Sequence, residues 1–237
     1  MSGKKSKPGV IVKHVDPKHK AAVANIGTPV SAPVPFNNFL ISGSGRSGTK
    51  FLAHLMDKSE IWTVKHEPGA SGVENYTSAD SINQTYKRFE YEKDHYGEVN
   101  SMLRRIFIHF PVKKKGLLIR NPYDIYLSIA NRKQNTERRY LEEFVESLGL
   151  INYALSKDKK IKKIEFKKMV SDVDYAQGIM NWFGIDDVVV AEEDVQTKIN
   201  QTEEENRKYK TIKDLPADIR KEVLIHSERF LEQRAND

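Results

Sequence analysis

The sequence contains no cysteine. Disulfide frameworks, thiolate metal centres and cysteine nucleophiles are thereby excluded, and a reducing compartment such as the cytoplasm is the expected setting. No apolar run approaches the roughly 20 residues that a membrane-spanning helix needs. The basic start, Met1 to Lys7, is followed by no apolar stretch, so no secretory signal is expected. The histidines show no H-E-x-x-H or related ligand spacing, and no metal is expected. There is no internal repeat.

Charge is what the sequence has in abundance. Of 237 residues, 30% are charged and 38% hydrophobic, which suits one packed domain with a tail rather than two domains. The formal net charge is +6. Such a balance fits a polyanionic ligand without naming one. Most of the excess lies at one end. Within residues 1–35, Lys4, Lys5, Lys7, Lys13, Lys18 and Lys20 face a single acid, Asp16. With Pro29, Pro33 and Pro35 among small residues, this stretch reads as a basic, flexible tail that buries too little apolar surface to order itself. The remaining domain, 36–237, is then nearly neutral, so any anion site in it must be built locally.

Order is expected from Phe36. Phe39-Leu40-Ile41 reads as a buried strand running into a glycine-rich turn, with a helix over 48–57. Ile61 to Val64 reads as a second strand. Residues 69–100 resist assignment, and 98–109 read as helical. Gly116 to Ile119 is a third strand, followed by a helix with Asn121 as N-cap and Pro122 at its first position. Further helices are expected over 137–156, 170–183 (ending at Gly184) and 216–233, with a strand over 162–166. The alternation predicts an α/β fold: three α/β/α layers around a mostly parallel sheet.

Two segments carry chemistry. The first is Gly43-Ser44-Gly45-Arg46-Ser47-Gly48-Thr49-Lys50. A strand, a glycine turn and a helix point backbone N–H groups at a phosphate, and Arg46 and Lys50 add positive charge. Gly43, Gly45 and Gly48 fit G-x-G-x-x-G, with Glu67 roughly 20 residues on, as in a dinucleotide site. Gly43 and Gly48 also have P-loop spacing, but Thr49-Lys50 inverts the Lys-Ser/Thr order that template requires. The second segment runs from Leu118 to Arg132. Arg120 stands at the end of a strand, where open α/β sheets bind ligands, and Ser128 and Arg132 share one helix face. Two guanidinium groups and a hydroxyl suit a phosphate dianion.

Arg46-Ser47-Gly48-Thr49 resembles the 5′-phosphosulfate loop of sulfotransferases that use 3′-phosphoadenosine 5′-phosphosulfate (PAPS), in its arginine version. Arg120, with Ser128 eight residues on and Arg132 one turn further, is similar to that family's 3′-phosphate motif. The likeness is best over 36–184. It departs at Ile164, where the family often has a tyrosine near the adenine. Lys198-Ile199-Asn200 is a short match to the family's loop over the 3′-phosphate.

The resemblance implies a P-loop-like fold that binds PAPS as co-substrate through Gly45, Arg46, Ser47, Gly48, Thr49, Lys50, Arg120, Ser128 and Arg132. It implies in-line sulfuryl transfer to a hydroxyl of a carbohydrate, lipid, small molecule or tyrosine, with no nucleic acid involved. Arg46 stabilises charge at the bridging oxygen. The general base is Glu67, just after the second strand, with His66 as the alternative. Two other enzymes remain rivals, an NAD-dependent oxidoreductase and a nucleotide kinase, together with an anionic-surface binder led by the lysine tail.

Overall fold

The central strand, β1 (Phe36–Gly43), is buried on both faces: Phe39, Leu40 and Ile41 are wholly inaccessible. A strand covered on both sides reads as a continuous apolar run, and β1 has one. In the computed structural model, which describes residues 36–68, 79–92, 94–101, 106–133, 136, 138–197 and 206–235, β1 is flanked by β3 (Tyr96–Val99) and β4 (Val112–Ile119). The outer strands are β2 (Thr63–His66) and β5 (Lys162–Glu165). The order is β2-β3-β1-β4-β5, and every pairing is parallel. The tail expected over 1–35 and the segment Lys198-Ile199-Asn200 lie outside the described residues.

Successive strand residues face opposite sides of the sheet, and two cores follow. Leu40, Leu117 and Ile119 join Phe89 of α2 (Ala79–Glu92), Tyr126 of α3 (Pro122–Lys133) and Phe144 of α4 (Arg138–Lys157). Phe39, Ile41, Leu118 and Ile164 join Leu52 and Met56 of α1 (Thr49–Met56). A short helix, α5 (Phe166–Met169), leads into α6 (Val173–Phe183), whose Phe183 belongs to the same core. The short α7 (Glu192–Gln196) packs there through Val195, and the closing helix α8 (Ala217–Ala235) returns to the first core through Val223 and Phe230. The fold is therefore α/β, with helices on both faces of a parallel sheet.

Local signals place most of these elements. The Tyr123 N–H donates to Asn121 Oδ1 at 2.9 Å, so Asn121 caps α3. Gly184 ends α6 with φ 87°. That helix starts later than expected because Asp172 caps it, accepting from the Tyr175 N–H at 2.9 Å. The second strand begins at Thr63 rather than Ile61, and Ile61 is 58% exposed.

One expectation is overturned. Among the described residues of 98–109 there is no α-helix. The described residues have strand β3 at 96–99 and a 3₁₀ turn at 107–109. Glycine and glutamate disfavour strands by themselves, yet both fit here for specific reasons. A Cβ on Gly97 would lie 2.0 Å from the Phe39 ring, so only glycine admits that ring. Glu98 is wholly buried but accepts from Arg88 Nε and Tyr96 Oη, each at 2.8 Å. Buried charge is tolerable when so partnered. Gly97→Ala should therefore cost roughly 1–3 kcal/mol by overpacking, read as a lower urea midpoint. An unchanged midpoint would contradict the placement of β3.

Candidate functional site

Gly43 of β1 lies in register with Leu118 of β4, so the two motif-bearing strands end side by side. The loop from β1 turns tightly: the Ser47 N–H donates to Ser44 O at 3.1 Å, and Arg46 and Gly48 take left-handed φ values of 68° and 104°. A non-glycine residue in that region stores strain, a feature that gathers at functional sites. The turn aims the start of α1 into a cavity of about 330 Å³, and the first N–H groups of a helix have no intrahelical acceptors. Gly45 leaves its backbone open, since a Cβ there would meet nothing within 4 Å.

The two motifs touch. Arg46 Nε donates to Ser128 Oγ at 3.0 Å, and Arg120 Nη1 donates to Arg46 O at 3.1 Å. Arg120 Nε is buried without a hydrogen-bond partner among the described residues. A buried donor left unpaired is costly, and an anion in the cavity would relieve that cost. The lining carries six cations, Arg46, Lys50, Arg120, Arg132, Arg207 and Lys210, against the carboxylates Glu67 and Asp124. Burial lowers the Arg46 pKa, Arg132 and Arg120 depress it further, and Glu67 opposes them. Burial likewise lowers that of Arg120, where Asp124 opposes and Arg207 adds to the effect. Both guanidinium groups stay charged, so the direction reports chiefly the cost of holding a cation away from water.

On the other side of the loop, β2 delivers His66, and Glu67 follows with φ 45°. The Glu67 N–H donates to Val99 O at 3.3 Å, and Ser101 Oγ donates to Glu67 Oε1. His66 Nε2 lies 3.2 Å from Thr49 Oγ1 and 3.9 Å from Glu67 Oε1. Burial lowers the His66 pKa below its usual value; Glu67 pulls the other way and Lys50 adds to the lowering. The folded chain thus binds fewer protons at His66 than the unfolded chain does. This contribution to stability is full above the unfolded pKa, near 6.5, and is lost as pH falls toward the lower folded value. His66→Gln should therefore narrow the drop in melting temperature between pH 7 and pH 5.5. An equal drop in the variant would contradict the assignment.

Gly45, Arg46, Gly48, Thr49, Lys50, His66, Glu67, Arg120, Ser128 and Arg132 all line this one cavity. Ser47 does not. It is wholly buried beneath the loop, and its Oγ lies 2.6 Å from where a Cβ on Gly43 would sit. Ile164 is fully buried in the core, and the aromatic rings in the cavity lining include Phe51, Phe166 and Tyr209. Four further residues enter from outside the two motifs. Ser101 comes from the end of β3. Phe166 follows β5, a strand end that could have flagged it. Arg207 and Lys210 arrive on a segment fastened by Asn131, whose Nδ2 donates to Tyr209 O at 2.8 Å and whose Oδ1 accepts from the Tyr209 N–H at 2.9 Å. Among the described residues no cluster of three or more histidines and carboxylates could hold a metal, and no helix is long and apolar enough to cross a membrane.

The strand order bears on the dinucleotide alternative. That template places its second strand next to its first, whereas here β3 separates β1 from β2, the strand that leads to Glu67. The chain matches no protein-family model and no curated protein.

Proposed function

We propose that the chain is a sulfotransferase that moves a sulfuryl group from PAPS to an acceptor hydroxyl. The observation that carries the reading is the joining of two anion-binding motifs, from the ends of β1 and β4, in one cavity. Two such sites on adjacent strand ends suit the two phosphates of a single nucleotide. The donor set fits: backbone amides and Thr49 on the 5′ side, Arg120, Ser128 and Arg132 on the 3′ side, and Arg46 between them. PAPS, when bound, supplies an activated sulfuryl group whose transfer needs neither redox chemistry nor metal.

The chain's part is positioning and charge stabilisation. Arg46, held by Ser128, presents its guanidinium where negative charge grows on the leaving bridging oxygen. Glu67 takes the acceptor's proton, with one carboxylate oxygen oriented by the Ser101 hydroxyl. His66, disfavoured as a cation by burial, shares the Thr49 hydroxyl and helps fix the start of α1. The acceptor is a carbohydrate, lipid, small-molecule or tyrosine hydroxyl. The cysteine-free composition suits a cytoplasmic setting.

A thermal-shift series separates the rivals. 3′-Phosphoadenosine 5′-phosphate (PAP) should raise the melting temperature in the presence of EDTA, with NAD and magnesium-ATP giving far smaller shifts. A larger shift with NAD would restore the oxidoreductase, and one that requires magnesium and ATP would restore the kinase.

A further inference from the structure

Phe166 is the first residue after β5 and lies outside both anion-binding motifs. Its ring nevertheless meets both anion-binding motifs. A Cβ on Gly48 would lie 2.2 Å from Phe166 Cε2, so the loop glycine rests directly against the ring. The Arg120 guanidinium carbon lies 4.9 Å from the ring centre. Phe51 of α1 backs the ring edge-on, with centroids 6.2 Å apart and planes at 87°.

A guanidinium beside an aromatic face is attracted by the ring quadrupole, and its donors lie in the guanidinium plane. Arg120 is therefore held twice, by the ring and by its 3.1 Å bond to Arg46 O. That carbonyl belongs to a residue in the left-handed region, so the strained loop and the orientation of Arg120 depend on each other. Arg120 Nε, buried and without a hydrogen-bond partner among the described residues, is the donor whose direction this arrangement sets.

We infer that Phe166 is a positioning residue that couples the two anion sites, so that preference for a 3′-phosphate depends on its aromatic ring. The inference rests on the sulfotransferase reading and deepens it. A ring that served only as an apolar wall would affect ligands with and without the 3′-phosphate alike.

Isothermal titration of the full chain with PAP and with 5′-AMP tests this. Phe166→Met and Phe166→Leu fill similar space without a π face, and Phe166→Tyr keeps the face. The wild type should favour PAP. Methionine and leucine should each cut the ratio of PAP to 5′-AMP affinity about three- to tenfold, while tyrosine preserves it. Two truncations keep the test alive should one fail to fold, as judged by circular dichroism. If either folded truncation weakens both ligands equally, or leaves the ratio at the wild-type value, the inference is overturned and the sulfotransferase reading stands. A wild type with no preference for PAP overturns both.

Discussion

Glu67→Gln should lose at least about a hundredfold in turnover, within the range general-base catalysis contributes, while binding PAP as tightly as the wild type. A base acts in the transition state, so its loss falls on turnover rather than on ground-state affinity. Glutamine keeps the shape of the side chain and an oxygen to accept from Ser101, so the loop geometry is retained. Turnover is read as PAP released from PAPS, with water or an added hydroxyl compound as acceptor. His66→Ala is the companion variant. If it is the inactive one and Glu67→Gln remains active, the base is the histidine. In the oxidoreductase reading the acidic residue would bind a ribose hydroxyl, so Glu67→Gln would chiefly weaken nucleotide binding. Affinity and turnover on one variant thus separate the two roles.

Arg120→Ala should show the reverse pattern. Its proposed partner is a ground-state phosphate, and a hydrogen bond to a charged group contributes about 1.5–3 kcal/mol. PAP affinity should therefore fall about ten- to a hundredfold, with a much smaller change for 5′-AMP. Arg120 also donates to Arg46 O, so some loss on the 5′ side is expected through the loop. A variant that binds PAP at wild-type affinity would remove Arg120 from the 3′ site.

The glycine loop and the Arg120–Ser128–Arg132 pattern were legible in the sequence because each follows a short apolar strand and changes composition abruptly at its end. The parallel sheet was legible for the same reason, since β1 and β4 each carry a short apolar run toward their ends, Phe39-Leu40-Ile41 and Leu117-Leu118-Ile119. Strand β3 was not. Its Gly97 and Glu98 make sense only beside the Phe39 ring, from the distant β1, and Arg88, from the preceding helix α2. Ser101 reaches Glu67 from 34 residues away, and nothing local distinguishes it from other serines. Phe166 reads as one more core aromatic until Gly48 and Arg120 are seen against its ring. Asn131 looks like a polar position on an exposed helix face, yet it is buried and fastens the segment carrying Arg207. Pairings of this kind depend on strand order, which alternation alone does not determine.

In the proposed reading, two strand-end motifs hold two phosphates of one nucleotide. Calorimetric titration of the wild-type chain with PAP and with 5′-AMP, both in EDTA, tests it most directly. One PAP should bind per chain, at least about tenfold more tightly than 5′-AMP, as expected for one added charged contact, with no requirement for metal. Equal affinity for the two nucleotides would contradict it.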